Sequence, residues 1–420
     1  MNLTNNLKAY IQDKTIKRFL KYVKVDSQSK ENADSFPSRK EQIQFGEALV
    51  EELKTLGLGD IVHDKFGYIY AHIHPSEGYE NIQSIGFIAH LDTSPSVSGK
   101  NVQPVIHKNY DGGIIKFEEN EELELSPDDS PELNEYKSYD IITSKGDTLL
   151  GADDKAGIAE IITMCDVFNK FKELKHGPIT ICFFPDEELG KGTEHIDLSK
   201  LPEICYTIDG SKMGELEFEC FDAWKLKINF KGLNVHPGYA KGLMINSIRI
   251  ATQFLNELPE NEIPRNTEKR EGFYHLTNLI GNPEESNLTL LLRDFDIENN
   301  LKRFEYLNKL KELYELRYDG LKIDIKREHQ YENMKNYLKN NSKVIDLAKQ
   351  AILKADLELE IHSIRGGTDG AHLSAKGIPT PNIFTGGLLF HSKKEYIPTI
   401  ALKKATEVIL YLINLWAELK

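Results

Sequence analysis

Two adjacent carboxylates, Asp153 and Asp154, sit in the stretch L-L-G-A-D-D-K-A-G between Leu149 and Gly157. The residues after Lys155 carry an apolar pattern that reads as a helix, so acid is concentrated where a loop enters a rigid element. A carboxylate placed there can hold a cation and can reach two metals with its two oxygens. Alone, the pair is more simply read as a helix N-cap, Asp154, with a solvated neighbour, Asp153. Other stretches weigh against that reading. His90 and Asp92 close S-I-G-F-I-A-H-L-D, Glu187 and Glu188 follow directly on G-P-I-T-I-C-F-F-P-D, Asp209 ends I-C-Y-T-I-D-G, and His391 lies beyond a Gly-Gly loop. His90, Asp153, Glu188, Asp209 and His391 make a donor set of two imidazoles and three carboxylates without a thiolate. Such a set suits a pair of zinc ions, with cobalt or manganese as substitutes, provided that one carboxylate is shared. His90 and Asp92 are two apart on an extended segment and point the same way, which lets Asp92 accept the second imidazole N–H. Glu187 and Glu188 are neighbours facing opposite sides, so one can bind metal while the other serves a water as general base.

These side chains must be carried by a sheet. The apolar run S-I-G-F-I-A-H and its counterpart G-P-I-T-I-C-F-F-P are nearly continuous, as buried parallel strands are, whereas D-I-V-H-D-K-F-G-Y-I-Y-A-H-I has a strand character of its own. Ahead of them, residues 8–58 read as two helices broken by a polar loop that holds Pro37. The order helix, strand, strand, helix, strand, strand predicts an α/β domain with a mainly parallel sheet, and it places every candidate at or just past a strand's C-terminal end. Residues 93–148, rich in Gly, Pro and acids, read as an excursion or edge hairpin.

From Trp224 the rhythm changes to strand, helix, strand, strand, helix, strand. That is the ferredoxin-like βαββαβ plan, expected as an inserted unit over 222–328, with 1–221 and 329–420 forming the catalytic domain. The chain ends on an amphipathic helix. A chain of 420 residues with 40% hydrophobic content supports a core of this size. Its net charge of -14 argues against nucleic-acid or anionic-membrane partners. An N-terminus without an apolar signal core, and the lack of any run of about 20 apolar residues, point to the cytoplasm. The four dispersed cysteines predict neither a disulfide nor a thiolate metal site.

Together the motifs G-F-I-A-H-L-D-T-S-P, T-L-L-G-A-D-D-K-A-G, F-F-P-D-E-E-L-G-K-G, Y-T-I-D-G, N-V-H-P-G, I-R-G-G-T-D-G and F-T-G-G…F-H-S-K-K-E-Y resemble those of the dinuclear-zinc M20 metallopeptidases, in order and over essentially the whole chain. Within that family the chain is most similar to aminopeptidases acting on tripeptides. The resemblance implies two zinc ions per subunit. Asp153 would bridge them, His90 and Asp209 would complete one site, and Glu188 and His391 the other. It further implies that Glu187 is the general base to a zinc-activated water, that Asp92 orients His90, that the Asp153–Asp154 peptide is cis, and that subunits pair through the inserted lid domain as homodimers. Ser211 departs from the expected glycine after Asp-Gly, beyond the ligand. His236, in N-V-H-P-G, is the candidate oxyanion donor, acting from a partner's lid, or else it satisfies only its own loop. Arg293 and Arg365 are expected to clamp the substrate's terminal carboxylate, or equally to form structural ion pairs, and Asn246 is assigned to substrate binding with them. The rivals are an N-acyl-amino-acid deacylase, a dipeptidase, and a non-catalytic metal or peptide binder.

Overall fold

The computed structural model describes residues 3–419. By its internal contacts the chain forms two compact units, one of residues 1–218, 337–362 and 368–420 and the other of residues 219–336 and 363–367.

The first unit is built on an eight-stranded sheet. Its spatial order is Asp60–His63, Ile69–Ile73, Ile179–Phe184, Ile85–His90, Cys205–Gly210, Asn382–Phe384, Glu215–Cys220, Glu360–Ile364. The four central strands, 179–184, 85–90, 205–210 and 382–384, pair in parallel. The pairs 60–63/69–73, 69–73/179–184 and 215–220/382–384 are antiparallel. The expected parallel sheet is therefore the centre of a mixed one. Parallel pairing matters for the site because it brings four strand C-termini to one edge, where His90 is paired with Phe184 and Asp209 lies one residue short of its strand's end.

The acid pair opens the helix Ala152–Lys170, of whose 19 residues all but Asp153, Asn169 and Lys170 are buried. It lies between the sheet and the helices Asn5–Tyr22 and Thr399–Ala417. The approach is close enough to demand glycine at 157, where a Cβ would stand 2.0 Å from the Ile208 carbonyl oxygen. The C-terminal helix, expected to be amphipathic, is buried on nearly every face because three helices, 5–22, 152–170 and 342–354, pack around it.

Residues 93–148 are more than an excursion. They supply the strands Val105–His107 and Ile141–Thr143 of a three-stranded sheet and a separate hairpin, 115–125. These close over an apolar cluster that includes Tyr110, Phe117, Leu125, Tyr136 and Tyr396. The strand Glu215–Cys220 was hidden in the sequence by its alternating glutamates. Each of them is paired: Glu215 with His362 at 2.8 Å, Glu217 with Asn382 at 2.7 Å, and Glu219 with Arg270. No described helix is long and apolar enough to cross a membrane.

The second unit has the antiparallel order Phe273–Gly281, Glu285–Asp294, Asp222–Lys231, Lys322–Tyr331, with the helices Ser247–Asn256 and Ile297–Arg317. That is the strand order of the expected ferredoxin-like plan. Along 222–231 the side chains alternate: Trp224, Leu226, Ile228 and Phe230 join the core, while Lys227 and Lys231 face outward. The unit is wider than the expected 222–328. Glu219 explains the extension, because its carboxylate accepts from Arg270 at 2.7 and 2.8 Å, Lys335 at 3.2 Å and Ser363 at 3.1 Å. One side chain thus ties three passages of chain together.

The Arg270 guanidinium holds Glu219 down to about 2, well below the usual carboxylate range. A depressed carboxyl stabilises the fold above its unfolded value, and the contribution is lost as pH falls through the folded one. Glu219→Gln is therefore expected to cost about 2 kcal/mol at pH 7, since Arg270 is half exposed and the pair is partly screened. In urea titrations the deficit should shrink between about pH 4.5 and 2; a deficit independent of pH would rule out the ionic account.

Candidate metal centre

At the sheet edge, His90 is buried and Asp153 reaches it from the helix entrance. His90 Nε2 lies 2.8 Å from Asp153 Oδ1 and 3.5 Å from Asp209 Oδ1. The other oxygen of Asp153 lies 3.0 Å from His391 Nε2, which is also 3.0 Å from Glu188 Oε1. Two ligand trios result, His90/Asp153/Asp209 and Asp153/Glu188/His391, each with its donor atoms within 4.8 Å of one another. Asp153 is common to both. The centre runs from enclosed His90 to exposed His391, so it opens to solvent on the His391 side.

Neighbouring residues hold these candidates in place. Asp154 is fully buried, accepting from the Gly157 N–H as a helix cap would and from the His90 N–H at 3.1 Å. Its peptide link to Asp153 is cis. Asp153 thus faces two imidazoles and is not a solvated neighbour. Asp92 Oδ1 stands 3.3 Å from His90 Nδ1, and its two oxygens accept the amides of Glu187 and Glu188 at 3.1 and 3.2 Å. Asp92 therefore fixes both glutamates as well as facing His90.

The sequence reading missed four other supports. Asp186 adopts φ 56° at the turn before Glu187 and accepts from the Ser38 amide and from Gln42 at 2.8 Å, while Gln42 accepts the Asp186 N–H in return. Asn382 accepts the Asp209 N–H at 3.1 Å and donates to Glu217. Asp369 of the I-R-G-G-T-D-G motif is buried against Gly192, where a Cβ would stand 2.0 Å from its Oδ2. Glu395, only 1% exposed, accepts four backbone N–H groups, of Leu150, Gly151, Ala152 and Asp153, at 2.7–3.2 Å. Their signal was chemical: polar residues inside motifs whose apolar neighbours mark a core.

Electrostatics show what this cluster lacks. Burial pushes Glu187 well above the ordinary carboxylate range, Glu188 up to about 7 and Asp209 to about 6. Burial also works to raise Asp153, but hydrogen bonds from His391 and His90 overturn it and hold that carboxyl low. The Asp153 and Glu188 oxygens lift His391 to about 10. In the absence of a metal, protonated imidazoles are the nearest compensation for this crowd of acids. Divalent cations held by nitrogen and oxygen donors would compensate it more fully, so the residues present fit a two-metal centre.

The remaining candidates lie in the second unit. His236 is exposed, and its Nδ1 accepts the Gly238 N–H at 3.1 Å, which leaves the proton on Nε2. Asn246 caps the helix 247–256, accepting from the Arg249 amide. Arg293 donates to the Trp224 and Leu292 carbonyls and to Gln330. Arg365 donates to the carbonyls of Lys269 and Glu271 and to Thr267, and lies over the rings of Phe221 and Phe273. Asn246, Arg293 and Arg365 thus each brace the second unit, through a helix cap, strand carbonyls and loop carbonyls respectively. The ion pairs considered for the two arginines are replaced by contacts to carbonyls and other neutral groups.

The sequence and fold have known counterparts. Residues 134–415 match the model of peptidase family M20/M25/M40. Peptidase T of Clostridium acetobutylicum is 46% identical over 411 residues, 97% of this chain and all of that protein. The crystal structure of aminopeptidase PepT from Bacillus cereus superposes with a TM-score of 0.76 at 22% identity, covering 97% of this chain and 99% of that one. A Staphylococcus aureus tripeptidase gives the same TM-score and coverage at 21% identity.

Proposed function

The chain belongs to peptidase family M20/M25/M40, and from that premise we propose that it is an aminopeptidase releasing the N-terminal residue of tripeptides at a two-metal centre. The observation that carries the reading is Asp153, one carboxylate whose two oxygens address two separate histidine-containing trios. His90 and Asp209 would hold one ion, Glu188 and His391 the other, and Asp153 both. Zinc suits this donor set, with cobalt or manganese as substitutes. When bound, the ions supply Lewis acidity to the scissile carbonyl and to the attacking water.

The chain's own groups do the rest. Glu187 belongs to neither trio, and its amide is held by Asp92, so its carboxylate is free to take the water's proton and pass it to the leaving amine. Asp92 keeps Glu187, Glu188 and His90 in register. His236 is the N–H donor for the tetrahedral oxyanion. We place the enzyme in the cytoplasm as a homodimer paired through the second unit. In support, the segment around His236 exposes Leu233, Tyr239 and Leu243, and Tyr239 is 78% exposed.

A deacylase or dipeptidase would share the metals but not the substrate. The test is a series of di-, tri- and tetrapeptides, free and N-acetylated, read by product analysis alongside the metal content. Release of an unblocked N-terminal residue from tripeptides, with little cleavage of the acetylated set, is expected. Preferred cleavage of acylated substrates would establish the deacylase, and metal binding without any turnover would leave only a binder.

A further inference from the structure

We propose that Glu395 is a positioning residue that locks the two loops carrying Asp153 and His391 together and thereby sets metal affinity at the Asp153/Glu188/His391 site; this rests on the two-metal reading above. Four consecutive amides, of residues 150–153, converge on one carboxylate, with Oε2 taking the first two at 2.8 Å and Oε1 the last two at 2.7 and 3.2 Å. Successive N–H groups that converge in this way form an anion-binding concavity, and here the anion is a side chain of the same protein. The last of the four amides belongs to Asp153 itself, so the grip acts on the ligand's own backbone.

The other end of the link is equally short. Glu395 lies four residues beyond His391, inside a loop closed by the Leu388–Tyr396 bridge, whose two hydrogen bonds measure 2.9 and 3.1 Å. Ser392 donates to the Leu389 carbonyl and accepts the Lys394 amide, which leaves that loop little slack. After Glu395 the chain enters the strand Tyr396–Pro398, paired with Ile141–Thr143. Moving Glu395 therefore moves His391, and releasing the amides releases Asp153. His90 and Asp209, by contrast, are carried by strands of the central sheet. Asp153 belongs to both trios but His391 to one, so the loss of Glu395 should fall hardest on the site that contains both.

The test is a zinc titration of the purified full-length protein against a chromophoric chelator, wild type first, then Glu395→Gln. The glutamine keeps the shape but presents an NH2 to amides that need an acceptor. Metal-free thermal unfolding of each protein establishes that it is folded. One of the two zinc equivalents is expected to weaken by about 10- to 100-fold, the range for residues that support a ligand, while the other, which shares only Asp153, weakens clearly less. In a His391→Ala background, Glu395→Gln should change the remaining equivalent less than it weakens the sensitive one in the wild-type background, and excess zinc should restore much of kcat to Glu395→Gln alone. Glu395→Asp, which keeps the charge and shortens the reach, is the second variant, with the same selective weakening expected. Wild-type affinity in a folded variant, or equal weakening of both equivalents, overturns the proposal. A wild-type protein that binds fewer than two zinc ions removes the two-metal premise and the proposal with it.

Discussion

Glu187→Ala is expected to lower kcat by roughly 1,000-fold or more while the protein still binds about two metals, because loss of a general base removes a proton acceptor and no ligand. Glu187 lies outside both donor trios, and its backbone is held by Asp92 whatever its side chain does. Asp153→Ala should behave differently. Each oxygen of Asp153 faces one imidazole, so removing it takes a ligand from both trios at once and leaves His90 and His391 without their common partner. Metal content and activity should fall together. Steady-state kinetics with metal analysis on the same preparations decides the matter. Equal metal loss in the two variants would abolish the distinction between base and ligand.

The different fates of these two acids trace back to how much the sequence could say. Asp153 was legible because it stands at the junction of a glycine-led loop and an apolar helix, and because His90, Glu188, Asp209 and His391 all fall at ends of apolar runs. Parallel pairing then had only to align those ends. Asp92 was legible in part. Its spacing from His90 put it near the imidazole, but its hold on two backbone amides comes from the turn at Asp186, whose positive φ no local pattern announces. Glu395 and Asn382 carried only the signal of a polar residue inside an apolar motif, and their roles stayed illegible because each acts on a backbone far along the chain. What Arg293 and Arg365 brace was not legible, because a cation reads the same in sequence whatever carbonyl it will meet in the fold. The second unit's plan was readable from alternation alone, as along 222–231, whereas its limits depended on Glu219.

His236→Ala is expected to lower kcat by about 100-fold with a smaller change in KM, the behaviour of a donor that serves the transition state. The imidazole is prepared for that role: with Nδ1 accepting the Gly238 amide, the neutral ring carries its hydrogen on Nε2. It stands on an exposed loop whose Tyr239 and Leu243 are also exposed, apolar surface of the kind that a partner covers. Acting from a partner, His236 has a consequence that no arrangement within one chain can reproduce. When inactive Glu187→Ala protein is mixed with inactive His236→Ala protein and subunits exchange, one site of each mixed dimer lacks both residues and the other has both. Activity should then return to about a quarter of the wild-type value, since random exchange makes half the dimers mixed and half their sites whole. If His236 served its own subunit, each site of the mixed dimer would lack one residue and activity would stay at the level of the parents. Mass analysis of the mixture, proving that mixed dimers are present, makes an absence of recovery as decisive as its appearance.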